Sequence, residues 1–428
     1  MQTQLADWIR ETPQGREADA ILRKCVHCGF CLATCPTYNL LGDELDSPRG
    51  RIYLMKQMLE GAPVSVRTQV HLDRCLTCRA CETTCPSGVE YGRLVDIGRD
   101  LVEKKVARPS GERFRRWLMG RVLPSRALFG ALLALGRVFQ RLLPDSLARK
   151  IPVRRDAGSL PQARHARRML VLGGCVQPSI APSINAATAR VLDRLGISLV
   201  EAAEAGCCGA VTFHLNEQQE ALGFVKANID AWWPHIEAGA EAIVITASGC
   251  GTMVSEYGHL LRDDPHYAAK AERISLLARD ISVVIAAERE NLAKLLPPPA
   301  SRLPPSRIAF HAPCSLQHGL KITGTVEPIL RDLGYELTPV PDGHLCCGSA
   351  GTYSILQRDL SQRLLADKVR ALESGGPALI ATANIGCLAH IGSAATRPIR
   401  HWIELVDEKI GDVPRIQDRG RTPNSSRA

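Results

Sequence analysis

From residue 169 to residue 410 the chain alternates short apolar runs of strand length with longer amphipathic stretches, and it does so twice. Runs at 169–172, 198–200 and 242–246 return in the same order at 308–310, 336–340 and 378–382. Between the first and second run of each set, apolar positions at helical spacing fill 187–195 and 326–333. Each of these helices is stopped by a glycine, Gly196 or Gly334, suited to a C-terminal cap. Strands alternating with helices predict two parallel sheets, each covered on both faces. The first hundred residues lack this alternation and hold a helical stretch at 49–60. The pattern predicts a multidomain α+β chain, with an α-helical module at 1–100 and repeated α/β domains at 169–296 and 306–410.

Charge changes the picture between these parts. The whole chain carries +9, yet 99–168 holds eighteen Lys/Arg against five acidic residues, so the remainder is mildly acidic. We read 101–168 as a basic, partly helical connector broken by Pro109, Pro124, Pro144, Pro152 and Pro161. Its arginines lie among Phe114, Trp117, Phe129 and Phe139, a mixture suited to an anionic lipid surface, to an acidic partner, or to packing on its own protein. A proline-rich break at 297–305 separates the two later domains, and 411–428 has the composition of a disordered tail. The first 24 residues have no apolar core of a secretory signal, and the apolar run at 127–136 is too short to cross a bilayer. Together with the cysteine usage below, this predicts a cytoplasmic protein without a transmembrane segment.

The sixteen cysteines fall into two kinds of repeat. The first is Cys25-x2-Cys28-x2-Cys31-x3-Cys35-Pro36, echoed by Cys75-x2-Cys78-x2-Cys81-x3-Cys85-Pro86. This spacing lets one loop give three thiolates to a cubane, while the fourth cysteine ligates the cluster of the other loop. The expected sets are Cys25, Cys28, Cys31 and Cys85 for one [4Fe–4S] cluster, and Cys75, Cys78, Cys81 and Cys35 for the other. Zinc ribbons also use paired CxxC, but zinc leaves no task for Cys31, Cys35, Cys81 and Cys85. There is no G-x-G-x-x-G and no P-loop, so no flavin, nicotinamide or ATP site is expected on this chain.

The second repeat is Cys175, Cys207-Cys208-Gly209 and Cys250, echoed by Cys314, Cys346-Cys347-Gly348 and Cys387. In both copies 32 positions separate the lone first cysteine from the doublet. Three strand ends thus bring four thiols to one place, and the glycine lets the backbone turn close to a bulky ligand. Three readings stand for these eight residues: cluster ligands, free thiols, or thiols that change redox state. Four nearby histidines, His214, His311, His318 and His344, are expected to be polar residues at strand ends.

These motifs resemble the cysteine-rich CCG domains of heterodisulfide reductases and respiratory iron–sulfur subunits. Relatives often end the motif in C-x-x-C, where this chain has Met253 and His390. Met253 is expected to pack, and His390 to hydrogen-bond near a cluster or to ligate it. More narrowly, the chain resembles the iron–sulfur subunits of bacterial glycolate oxidases. The resemblance rests on Cys25-Val-His-Cys28-Gly-Phe-Cys31, Leu41-Gly-Asp-Glu-Leu-Asp46-Ser47-Pro-Arg-Gly-Arg51 and Leu72-Asp-Arg-Cys75-Leu-Thr-Cys78. It continues in Asn228-Ile-Asp-Ala-Trp232-Trp233-Pro234, His344-Leu-Cys346-Cys347-Gly348 and Arg400-His-Trp-Ile-Glu404.

The resemblance implies a ferredoxin-like N-terminal module with two cubane clusters and further iron–sulfur centres in the CCG domains. It also implies FAD-binding partner subunits that oxidise glycolate to glyoxylate, with electrons relayed by this chain toward the membrane quinone pool. The place implied is peripheral, on the cytoplasmic side of the inner membrane. Alternatives are the iron–sulfur subunit of an anaerobic glycerol-3-phosphate or lactate dehydrogenase, and a heterodisulfide-reductase-like enzyme. A nucleic-acid role is disfavoured, because the chain outside the connector is acidic.

Overall fold

The computed structural model describes residues 1–140, 155–296 and 306–411. The proline-rich break at 297–305, part of the connector (141–154) and the tail beyond 411 lie outside the described residues. Proline and hydroxyl caps set the N-terminal helices. Thr12 caps Pro13–Lys24 and Ser47 caps Pro48–Leu59, each with proline in the first turn. Pro36 opens the helix Pro36–Leu41 with Cys35 at its N-cap, which turns Cys35 out of its own loop. Val66–Asp73 and Tyr91–Lys105 complete the core of the module, where Leu22, Met55, Leu59 and Leu94 are fully buried. The helix Tyr91–Lys105 runs through residue 100, so the boundary expected there falls inside an element. Its basic last turn marks a change in composition and not a break in the backbone.

Below this helix core lies a buried ionic network. Asp46 is fully buried and accepts from Arg51 at 3.3 Å and Arg74 at 2.8 Å, with His71 Nδ1 at 3.0 Å. Arg51, itself 1 % exposed, also donates to the carbonyl of His71 and to Thr37 Oγ1. The Thr37 hydroxyl lies 3.3 Å from Cys35 Sγ, so a buried guanidinium stands one residue away from the crossing cysteine. Removing one partner of such a network leaves an uncompensated buried charge, worth about 3–5 kcal/mol.

Two four-stranded parallel sheets follow, one per repeat. The first contains β1 (Arg167–Val171), β2 (Ile197–Glu201), β3 (Ile243–Ile245) and β4 (Ala278–Asp280) in the order β2-β1-β3-β4. The second contains β5 (Ser306–His311), β6 (Tyr335–Leu337), β7 (Leu379–Thr382) and β8 (Ile399–His401) in the equivalent order β6-β5-β7-β8. Neighbouring β1 residues serve opposite faces: Met169 joins the core containing Ile184 and Val191, and Leu170 the core containing Val225 and Trp232. The fourth strand of each sheet was not foreseen. Each has three residues, and each fuses with a helix: β4 follows Ala268–Leu277 directly, and β8 runs into Trp402–Gly411.

One apolar core is continuous between the two sheets, through Ser183–Arg194 packed on Trp402–Gly411. Polar contacts pin this seam. Ser183 donates to Glu404 at 2.6 Å, Arg190 pairs with Asp407 at 2.6 Å, and buried His401 donates from Nε2 to the Thr246 carbonyl at 2.9 Å.

The connector forms two helices, Ser110–Val122 and Arg126–Val138, bent by 103° at their junction. No single helix among the described residues is long and apolar enough to cross a membrane. Arg126–Val138 buries none of its residues, and Leu128, Leu132, Leu135 and Phe139 line one exposed face at helical spacing.

Candidate metal centres

The two ferredoxin-type loops repeat each other in backbone as well as in sequence. Two and four residues beyond the first cysteine, the chain turns left-handed: His27 and Gly29 in one loop, Thr77 and Arg79 in the other. These turns wrap the chain so that three cysteines face inward. The first loop and Cys85 border one small cavity, with Cys25, Cys28, Cys31 and Cys85 on its wall together with Cys81. Burial and the neighbouring Cys25 push the Cys31 thiol up to about 11. Around the second loop, burial and then Cys314 hold Cys78 well above the usual range, with Cys35 and Cys75 adding to the effect. Cys81 is held up by burial and by Cys78, Cys75 and Cys35. Cys35 therefore sits among the thiols of the second loop. Backbone N–H of Thr77 and the Tyr91 hydroxyl both point at Cys75 Sγ, at 3.4 and 3.7 Å.

In the two sheet domains the cysteines stand beyond strand C-terminal ends. Cys175 follows β1, Cys250 follows β3, Cys314 follows β5 and Cys387 follows β7. Cys207 contacts Cys175 and Cys208, while Cys208 contacts Cys250, so the doublet bridges the two strand ends. The second domain repeats this chain of contacts, with Cys314 Sγ 3.7 Å from Cys346 Sγ and Cys347 beside Cys387. Gly209 and Gly348 are left-handed, and their N–H groups each lie 3.4 Å from the first sulfur of the doublet.

All three modules open into one cavity of about 500 Å³. Its wall carries Cys75 and Cys78 from the second ferredoxin loop and Cys175, Cys208 and Cys250 from the first sheet domain. The second sheet domain contributes Cys314, Cys346, Cys347 and Cys387. Leu76, Cys346, Tyr353 and Leu364 pack into a common apolar cluster where the second loop meets the second domain. Ion pairs fix the modules around this space. Arg79 pairs with Glu256 at 2.7 Å, and Glu17 accepts from Arg262 at 2.9 Å. Thr83 bonds His318 at 2.8 Å, and the Tyr353 hydroxyl donates to the Arg74 carbonyl.

The residues around the cysteines sort differently from the sequence reading. Met253 is buried in the first domain's core, where packing was expected. The His390 ring lies 3.2 Å from the Ser361 hydroxyl. His311, expected to be a polar strand-end residue, has a ring nitrogen within 4.8 Å of the sulfurs of both Cys347 and Cys387. His214 borders the shared cavity and is exposed to solvent. Several supporting residues went unread. Asn228 donates to the Cys207 carbonyl and accepts from Gly206 N–H, while Tyr257 donates to the Cys208 carbonyl. Lys368, 3 % exposed, donates to the Asp342 carbonyl beside the second site. Of these only Asn228 fell in a quoted stretch, Asn228–Pro234, which carried the family resemblance without saying what the residue held.

Comparison with known proteins agrees with this layout. Residues 21–89 match the 4Fe-4S dicluster domain family, and 169–255 and 308–392 each match the cysteine-rich domain family. The glycolate oxidase iron-sulfur subunit of Escherichia coli (strain K12) is 56% identical over 411 residues, covering 96% of this chain and 99% of that protein. The chain belongs to the glycolate oxidase iron–sulfur subunit family. A probable glycolate oxidase iron-sulfur subunit of Bacillus subtilis (strain 168) is 31% identical, covering 86% of this chain and 87% of its own length. The lactate utilization protein A of Bacillus licheniformis is 28% identical over 55% of this chain. The family resemblance read from the stretches between the cysteines is therefore correct.

The donor set of this family member suits iron–sulfur clusters. All sixteen cysteines are free, and ten of them are buried. A buried thiolate needs a compensating cation, and backbone N–H groups already point at the sulfurs of Cys75, Cys207 and Cys346. The two glycines give a test of how tightly the doublets are held. A Cβ on Gly348 would meet the Ser361 carbonyl oxygen at 2.7 Å and Leu364 at 3.0 Å, whereas one on Gly209 would meet the Ala221 oxygen at 3.1 Å. Both substitutions carry the left-handed cost of ~1–2 kcal/mol, and overpacking at Gly348 adds about 1–3 kcal/mol. Gly348→Ala should therefore lower stability and bound iron more than Gly209→Ala, measured by anaerobic denaturant unfolding and iron analysis. Equal losses would show that the second doublet is no more crowded than the first.

Proposed function

We propose that this chain is the electron-relay subunit of a complex that oxidises glycolate to glyoxylate. In this reading Cys25, Cys28, Cys31 and Cys85 hold one [4Fe–4S] cluster, and Cys75, Cys78, Cys81 and Cys35 hold a second. Cys175, Cys207, Cys208 and Cys250, and Cys314, Cys346, Cys347 and Cys387, hold further iron–sulfur centres. Bound clusters exchange single electrons, whereas a hydride carries two, so substrate oxidation falls to FAD-binding partner subunits. The observation that carries the reading is the cavity shared by cysteines of all three modules. Tunnelling falls off exponentially with separation, and here Leu76, Tyr353 and Leu364 exclude water between the second ferredoxin loop and the second CCG site. Cys28 is exposed, beside the exposed side chains of Val26 and Phe30, which offers a surface where a donor subunit can approach the first cluster site. Glycolate is preferred to lactate because the relatives named for glycolate match 96% and 86% of this chain, against 55%.

The ligand sets are tested in the full chain, purified without oxygen. Cys85→Ser should cost the cluster of Cys25, Cys28 and Cys31 and spare that of Cys75, Cys78 and Cys81, as read by iron content and low-temperature EPR. Loss confined to the second set would reject the crossed arrangement. Stoichiometric zinc without iron or sulfide would reject the redox role.

Delivery to quinone places the complex at the membrane surface, and the connector helices support that position. Leu128, Leu132, Leu135 and Phe139 are exposed, as are Phe114 and Trp117, whose rings stack at 5.8 Å. Among the basic residues, Arg116 is paired with Glu112 and Arg121 with Glu220, so the charge offered to anionic lipid comes from exposed Arg113 and Arg115. Each is worth roughly 1 kcal/mol at such a surface. Arg113→Glu with Arg115→Glu and Leu132→Glu should abolish sedimentation of the complex with anionic phospholipid vesicles. Sedimentation that survives these changes would assign the membrane contact to another surface.

A further inference from the structure

The two CCG sites are built on the same plan, but one position differs in a way that changes their chemistry. Three residues before the lone first cysteine, the first domain has Leu172 and the second has His311. His311 is the last residue of the central strand β5, and Leu172 directly follows the central strand β1. In the second domain β5 pairs with β7 so that His311 stands opposite Thr382, five residues before Cys387. That register brings a ring nitrogen of His311 within 4.8 Å of Cys347 Sγ and Cys387 Sγ, with all three residues buried. The ring is also oriented from behind, since Nδ1 lies 2.9 Å from the Thr382 hydroxyl. With the proton on Nδ1 donated to Thr382, the Nε2 lone pair is left for a metal, which is how ligating histidines are commonly fixed.

We propose that His311 is a metal ligand of the second CCG centre, which therefore has mixed nitrogen and sulfur coordination, while the first has thiolates alone. The inference rests on the reading that Cys314, Cys346, Cys347 and Cys387 hold an iron–sulfur centre. It differs from the sequence expectation, in which His390 was the candidate. His390 faces Ser361 and is not part of the group that gathers around Cys347 and Cys387. The first domain offers no counterpart, because Leu172 has no donor atom and Met253 is packed in the core. His311 adds a neutral nitrogen to four cysteines, the same number that the first domain offers, so it changes the donor set without changing the count of thiolates.

The test uses the full chain, purified anaerobically with either natural-abundance or ¹⁵N-labelled histidine. Pulsed EPR of the paramagnetic CCG centres should show a directly bound nitrogen that changes on isotope labelling. This coupling should vanish in His311→Cys, which keeps a ligand atom and hence the iron, and persist in His390→Ala. His311→Cys should also shift the potential of one centre only, to a more negative value. Iron retained in the second domain with no histidine nitrogen coupling, or a coupling unaffected by His311→Cys, would overturn the proposal while sparing the cluster reading. If Cys347→Ser and Cys387→Ser leave total iron unchanged, both the cluster reading and the ligand assignment fall.

Discussion

Burying a thiolate away from water is unfavourable unless a cation compensates it, and this constraint organises the whole molecule. Ten cysteines are buried, and burial with neighbouring thiols holds Cys81 well above its ordinary range, as it does the half-buried Cys78. A packed protein without metals gains nothing from collecting such groups. The fold collects them at the C-terminal ends of two parallel sheets and in two left-handed loops, and turns three of the four sets toward a single cavity. Their positions make sense as ligand cages whose compensating charge is metal.

Keeping those cages in register is the task of the contacts between modules. Arg79 illustrates how local strain and docking are linked. It occupies the left-handed position that Gly29 takes in the first loop, a conformation costly for a side chain with a Cβ. In exchange its guanidinium reaches Glu256 at the end of the helix that carries Cys250. The buried Asp46–Arg51–Arg74 network acts from the other side, fixing the start of the helix Pro48–Leu59 and the approach to Cys35. Between the CCG domains, Ser248 and Ser315 meet at 2.7 Å, close to Cys250 and Cys314. Arg74, Arg79, Ser248 and Ser315 each lie one or two residues from a cysteine, so these contacts between modules border the metal sites directly.

Much of this was legible in the sequence because it was written in strong periodic signals. The repeated apolar runs gave six of the eight strands, and two glycines marked the helix ends. The two remaining strands, Ala278-Arg279-Asp280 and Ile399-Arg400-His401, have one apolar residue each at their start and no turn signal separating them from a helix. They are edge strands, held by tertiary pairing to β3 and β7 and not by local preference. Composition misled in two places. The rise in basic charge began inside the helix Tyr91–Lys105, and Arg116 and Arg121, counted with the open basic face, spend their charge on Glu112 and Glu220. His311 was missed because sequence proximity to Cys314 says nothing of its neighbours. Only the pairing of β5 with β7 sets it against Cys347 and Cys387.

The central claim is that the second ferredoxin site and the second CCG site form one continuous electron path through the shared cavity. Dipolar coupling between two paramagnetic centres measures their adjacency without reference to substrate or partner. In the reduced full chain, the EPR signal of the cluster held by Cys75, Cys78, Cys81 and Cys35 should be broadened and fast-relaxing while the second CCG centre is paramagnetic. Removing that centre with Cys347→Ser and Cys387→Ser should sharpen the signal and slow its relaxation. The same substitutions at Cys208 and Cys250 should change it less, because Cys78 senses Cys314 most strongly after its own burial. A lineshape and relaxation rate indifferent to the second CCG centre would contradict the account.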